Sequence, residues 1–198
     1  PPPTPYFAKE RRADDRLIDV QVDWAYRRNA HGQVQGFISI ITDITTRKQM
    51  EEALREQATH DPLTGLLNRR YLNEALPREL HHCQRSGEPL TVAMLDLDYF
   101  KHFNDLYGHE AGDIVLRSIG DLLGRSVRAG DIACRYGGEE LIIVMPGSSV
   151  ENARLRLDSL RQAIMRLNPR YRESELTTIT VSIGVVEARP EETNADTL

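Results

Sequence analysis

A few acids and one lysine concentrate the chemistry that this sequence could perform. Asp96, Asp98 and Lys101 fall within Asp96-Leu97-Asp98-Tyr99-Phe100-Lys101, directly after an apolar run, and Glu139 and Glu140 follow the pair Gly137-Gly138. Carboxylates gathered at strand ends beside a glycine turn suit hard, oxygen-seeking cations such as Mg²⁺, which take few protein ligands and complete their shell with water and substrate phosphate. Lys101 is the last lysine of the chain. A metal between acids with an ammonium nearby is what phosphoryl transfer requires, because the protein's task there is positioning and charge neutralisation. The alternative is a rim of solvated acids and an ordinary surface lysine.

The next segment, Asn104-Asp105-Leu106-Tyr107-Gly108-His109-Glu110-Ala111-Gly112-Asp113, carries groups able to read a base edge. Asn104 offers an amide donor and acceptor, and Asp113 accepts two hydrogen bonds, which matches the N1–H and N2–H₂ edge of guanine. Helix capping is the competing reading for both. Asp98 also fits a structural acid that orders the loop.

These residues need elements to bring them together. Hydrophobic periodicity predicts a strand over 90–96, a helix over 111–125, strands over 131–136 and 140–145, a helix over 149–166 and a strand over 177–186. That order is β-α-β-β-α-β, an α+β fold with a ferredoxin-like core and a mostly antiparallel sheet, in which the first and third strands lie side by side. Asp96 is thereby expected next to Glu139. Gly137-Gly138 is expected to form a two-residue hairpin turn with positive φ at both positions. Ser148 and Glu151 have capping-box spacing. Upstream, Asp61-Pro62 has the form of a helix cap and first-turn proline, and a helix is expected from Arg69, with Pro77 kinking it or splitting it in two.

The front of the chain reads differently. Residues 1–16 predict a poorly ordered leader, 17–27 and 34–41 two strands joined by a turn at Asn29, His31 and Gly32, and 46–58 a helical connector opened by Thr46 and Gln49. The expected division is therefore 1–45, 46–58 and 59–198. Across all 198 residues the net charge is -5, with 40% hydrophobic and 28% charged residues. That balance excludes a disordered or fibrous chain and gives no broad attraction to nucleic acid or to an anionic membrane. Apolar runs fall far short of the roughly 20 residues of a membrane span. Cys83 and Cys134 lack metal-site spacing and read as core thiols in a reducing, cytoplasmic setting.

Taken together, Asp61 to Arg70, Asp96 to Asp113, Arg135-Tyr136-Gly137-Gly138-Glu139-Glu140-Leu141 and Thr180-Val181-Ser182-Ile183-Gly184 resemble the diguanylate cyclase catalytic domain, the GGDEF family. The resemblance implies a fold similar to nucleotide cyclase and polymerase palm domains. It implies condensation of two GTP molecules into cyclic di-GMP and two pyrophosphates by a homodimer, each subunit holding one GTP and Mg²⁺ or Mn²⁺. It assigns metal to Asp96, the Leu97 carbonyl and Glu139, guanine to Asn104 and Asp113, and phosphate to Lys101 and amides near Phe100. His109 and Gly138 complete the substrate-binding set. Glu139 would help deprotonate the attacking 3'-hydroxyl, with Lys101 and Glu140 also in the catalytic set. Glutamate at the third signature position is an accepted variant, and Leu141 for phenylalanine keeps an apolar contact.

Arg128-Ala129-Gly130-Asp131 resembles the family's inhibitory product-binding motif, with Arg128 and Asp131 as its charged groups. Only Asn194-Ala195-Asp196-Thr197-Leu198 stands where family members continue with a helix whose lysine helps hold phosphate, so that helix is expected to be missing. Gly36 to Lys48 is similar to the exit of a PAS sensor domain, which makes 1–45 a C-terminal PAS remnant. The resemblance implies a cytoplasmic domain, or the cytosolic part of a longer membrane-anchored sensor, with no nucleic-acid partner and no membrane contact by this segment. A catalytically silent cyclic di-GMP receptor is the alternative reading.

Overall fold

The computed structural model describes residues 4–172 and 174–188. The chain divides into two compact units between Glu56 and Gln57. In the first, β1 (Tyr6–Arg11), β2 (Leu17–Arg28) and β3 (Val34–Asp43) form an antiparallel meander in the order β1-β2-β3. The expected leader is thus partly a strand. Its charges did not forbid this, because β1 is an edge strand whose side chains stay largely exposed while its backbone pairs with β2 from Tyr6↔Val22 to Arg11↔Leu17. The turn after β2 follows expectation: Asn29 Oδ1 accepts from the His31 and Gln33 amides at 3.0 and 2.9 Å, and Gly32 has φ 80°.

Helix α1 (Thr45–Thr59) begins one residue earlier than its expected box, since Asp43 Oδ1 accepts from the Thr45 amide at 3.0 Å. None of its residues is buried.

The second unit is built on a five-stranded sheet. Its strands are β4 (Leu67–Asn68), β5 (Leu90–Leu97), β6 (Ile132–Gly137), β7 (Glu140–Pro146) and β10 (Val181–Glu187), in the order β10-β5-β7-β6-β4. The four strands of the ferredoxin-like core pair antiparallel, and the short β4 adds in parallel beside β6. A two-stranded ribbon, β8 (Arg170–Tyr171) with β9 (Ser174–Glu175), precedes β10, which starts at Val181 and not at 177.

Central β7 explains the order. Its run Leu141-Ile142-Ile143-Val144-Met145 is buried throughout, as a strand covered on both faces must be. Leu141, Ile143 and Met145 join Ala93, Leu95 and Leu97 of β5 in one core, against α4 (His109–Ser126) and α5 (Val150–Met165). Ile142 and Val144 join Cys134 in a second core against α2 (Arg69–Ser86), through Leu72, Leu76 and Leu80. Both cysteines are free and buried, and burial first, with Asp61 adding to it, pushes the Cys134 thiol up to about 12.

Several boundaries differ from expectation for local reasons. Pro77 sits inside one continuous α2, where Leu76 and Leu80 anchor the turns on either side of it. Asn68, not Asp61, caps that helix by accepting from the Tyr71 amide at 2.9 Å. Ser149 caps α5, while Ser148 is buried and its carbonyl accepts from Thr91 Oγ1 at 2.7 Å. The helix expected over 111–125 is preceded by a separate α3 (Phe100–Tyr107), and Gly108 at φ 84° turns the chain between α3 and α4.

One close approach sets the depth of α4. A Cβ at Gly120 would stand 2.3 Å from the Thr64 carbonyl oxygen, so the helix lies directly on the turn after Asp61.

Candidate active site

Strand β5 ends where the chain must reverse into α3. Tyr99, 86% exposed with φ 56°, makes that reversal, an uncommon conformation for a residue with a Cβ. Asp98 fastens the strand end instead of facing a ligand. It accepts from Ser182 Oγ at 2.6 Å and Thr180 Oγ1 at 2.5 Å, and its amide donates to the Thr180 carbonyl at 3.0 Å. The Ser182 and Thr180 hydroxyls hold its carboxyl below the ordinary range. This is the structural role foreseen for Asp98, and it accounts for the Thr180–Ser182 motif.

The β6–β7 hairpin presents the signature residues. Its turn residues are Gly138 and Glu139, and only Gly138 has positive φ, at 51°, because Gly137 is still the last residue of β6 and pairs with Glu140. The register therefore corrects one expectation. Asp96 lies opposite Glu140, not Glu139, and Glu139 stands on the turn one residue earlier.

A frame that sequence reading missed holds the hairpin. Arg135 donates through Nε and Nη2 to the Gly138 carbonyl at 3.1 and 2.8 Å, and through Nη1 to both Asp61 oxygens at 3.1 and 3.2 Å. Asp61 Oδ1 also accepts from the amide and hydroxyl of Thr64, at 2.9 and 2.8 Å. Burial works against the Asp61 charge, but the Thr64 donors and the Arg135 guanidinium hold its carboxyl below the usual value. The available signal was an acid in a turn and an arginine two residues before the glycine pair, separated by 74 positions.

Between α3, α4 and this hairpin lies a cleft of about 520 Å³. Phe100, Lys101, Asn104, His109, Asp113, Gly138 and Glu139 line it, which is the whole expected substrate-binding set together with Glu139. Arg135 and Gly112 also line it. Gly112 lets Asn104 lie where it does, because a Cβ would fall 2.0 Å from Asn104 Oδ1 and 3.0 Å from the Phe100 ring and would displace the Asn104 side chain. Asn104 Oδ1 is itself buried without a hydrogen-bond partner among the described residues. A buried acceptor without a partner is costly, which marks Asn104 as the cleft residue whose hydrogen bonding the described fold does not complete.

Other expected residues stand apart from the cleft lining. Asp96, Leu97 and Glu140 sit on the adjoining strand ends, with Asp96 and Glu140 exposed and Leu97 buried. Arg128 and Asp131 close the turn between α4 and β6. Among the described residues no cluster of three or more His, Cys, Asp or Glu side chains could hold a metal alone. The expected metal set, Asp96, the Leu97 carbonyl and Glu139, is all oxygen, which is the donor chemistry a hard cation takes, and an ion that binds few protein ligands would draw its remaining oxygens from substrate and water.

The sheet order and the cleft define a ferredoxin-like α+β domain of the nucleotide-cyclase kind. The family model described as "Diguanylate cyclase, GGDEF domain" matches residues 58–198. The chain belongs to the GGDEF diguanylate cyclase domain family. It is 42% identical over 134 residues to the diguanylate cyclase DgcP of Pseudomonas aeruginosa, covering 68% of this chain and 20% of DgcP. It is 37% identical over 149 residues to DgcM of Escherichia coli K12, covering 75% of this chain and 35% of DgcM. The chain thus spans a fifth to about a third of these relatives' length. Among solved structures it is similar to the coiled coil and GGDEF domain of DgcB from Caulobacter crescentus in complex with c-di-GMP, with TM-score 0.70, 31% identity and coverage of 75% and 79% of the two chains. It is also similar to SiaD of Pseudomonas aeruginosa, solved with its activator SiaC, with TM-score 0.69, 38% identity and coverage of 77% and 58%.

Proposed function

We propose that this chain is the catalytic part of a diguanylate cyclase, condensing two GTP molecules into cyclic di-GMP and releasing two pyrophosphates. The observation that carries this reading is the cleft that gathers Asn104, whose buried acceptor has no partner among the described residues, with Asp113, Lys101 and Glu139. Asn104 and Asp113 bind the guanine edge, since together they supply the acceptors that its N–H groups need. Lys101 and the first amides of α3, at Phe100, bind phosphate at a helix N-terminus. Asp96, the Leu97 carbonyl and Glu139 would hold Mg²⁺ or Mn²⁺, which when bound neutralises triphosphate charge. Glu139, with Glu140 in support, takes the proton of the attacking 3'-hydroxyl. The 3'-oxygen bonds to the α-phosphorus of the second GTP, the bond from that phosphorus to the bridging oxygen breaks, and pyrophosphate leaves. Repeating the step from the other side closes the ring, so two subunits must face each other as a homodimer.

In the same reading, Arg128 and Asp131 bind cyclic di-GMP and inhibit the enzyme. Residues 1–45 are the end of a PAS sensor domain, 46–58 a connector that governs the encounter of subunits, and 59–198 the cyclase domain. The setting is cytoplasmic. GTP turnover with Mg²⁺, with the product identified by mass, tests the reading. Replacing Glu139 with alanine is expected to lower turnover by about two to three orders of magnitude, as removal of a group acting on the reacting charge does. Undiminished turnover of E139A would sink the assignment, and cyclic di-GMP binding without any turnover by the unaltered chain would establish a silent receptor instead.

A further inference from the structure

The turn from Arg128 to Asp131 is already engaged by the protein itself. The Arg128 amide donates to Asp131 Oδ2 at 2.9 Å and the Asp131 amide donates back to the Arg128 carbonyl at 2.9 Å. Arg156, on α5, donates through Nη2 to the same Oδ2. Asp131 is left with a side chain 3% exposed, while Arg128 remains exposed. Of the two charged groups assigned to product, one faces solvent and the other is covered by a guanidinium.

That cover is chemically apt and incomplete. C2 of guanine with its three nitrogens N1, N2 and N3 forms a guanidine unit, so an arginine offers a carboxylate the same kind of paired N–H edge as the base offers through N1 and N2. Arginine holds carboxylates best with two parallel bonds, yet here only Nη2 is engaged and Nη1 is buried without a partner among the described residues. Arg156 also lines a cavity of about 300 Å³ with Ser126 and Ser159. Both hydroxyls donate to their own helices, to the Leu122 carbonyl at 2.7 Å and the Leu155 carbonyl at 3.0 Å, which leaves their oxygen lone pairs able to accept. A guanidinium released from Asp131 therefore has acceptors beside it.

We propose that Arg156 is an internal latch on the product site: it occupies Asp131 as a stand-in for the guanine edge, and cyclic di-GMP must displace it to bind. This rests on the reading of Arg128 and Asp131 as that site. The latch raises the product concentration at which inhibition sets in, because ligand competes with a tethered group that is always present.

Calorimetric titration of cyclic di-GMP into the full chain and its variants tests the latch. R156Q is expected to bind about tenfold tighter than the unaltered chain, an effect of about 1.4 kcal/mol. R156K, which keeps the charge but loses the planar fork, should show a smaller gain and carries the comparison if R156Q folds poorly. The gain should vanish when Asp131→Asn is added. Equal or weaker binding by both R156Q and R156K, with R128A still abolishing binding, overturns the latch and leaves the product site standing. No binding by any variant while GTP is turned over overturns both.

Discussion

Two sets of carboxylates within residues 57–198 meet opposite fates. Asp61 and Asp98 are saturated: Thr64 and Arg135 donate to one, Ser182 and Thr180 to the other, and both acids are held below the usual carboxylate range. Asp96, Glu139 and Glu140, a few residues away in sequence from Asp98 and Arg135, accept no side-chain hydrogen bond or ion pair among the described residues. An acid that the fold satisfies orders the chain, while an exposed acid that the fold leaves unpaired is satisfied by water and stays available to exchange that water for another partner.

Exchanging the fates of these acids gives the sharpest test. Asp96→Ala should cost turnover about two orders of magnitude while its melting midpoint holds, because the exposed Asp96 side chain makes no bond that the fold would lose. Asp61→Ala should instead cost stability, about 2–3 kcal/mol, because it strands the half-buried Arg135 and the Thr64 donors. Equal melting losses from the two variants would erase the distinction.

A smaller effect probes the cleft alone. Gly112→Ala puts a methyl where Asn104 Oδ1 now lies, so KM for GTP should rise roughly tenfold with kcat little changed. An unaltered KM would remove Asn104 from base recognition. The mildest effect is acid sensitivity. The folded carboxyl of Asp98 lies below its unfolded value, near 3.9, so its stabilisation is present above that pH and is lost as pH falls through the folded value. Asp98→Asn should be less stable than the unaltered chain at neutral pH, and the two acid-unfolding curves should converge towards low pH.

Regular packing was legible in the sequence and tethering was not. The apolar run at Leu141–Met145 and the alternation through Ala93, Leu95 and Leu97 announce a central sheet, and the strand order followed from the element order. The cleft set was also legible, since Asn104, Asp113 and Lys101 share one stretch of chain. The cap of α5 was misread by one residue, at Ser149 for Ser148, and the start of α1 is held by Asp43, three residues before the expected Thr46, because nearby Ser, Thr and Asp side chains offer equivalent oxygens and only the helix's final phase chooses between them. The edge strand β1 was missed because its pairing uses backbone groups that a charged sequence does not advertise. Arg135 with Asp61, and Arg156 with Asp131, join residues 74 and 25 positions apart, distances at which no local periodicity speaks.

The contact between Gly120 and Thr64 has a mechanical meaning. The helix that carries Asp113 to the cleft is held off the turn that carries Asp61 by the thickness of a backbone alone, with no side chain as a spacer. A rotamer change can absorb an extra methyl group elsewhere in a core, but a carbonyl oxygen has no rotamer to change. The spacing between α4 and that turn is therefore set by an atom the chain omits, and any larger residue at position 120 would push the helix off the turn that Asp61 and Arg135 brace.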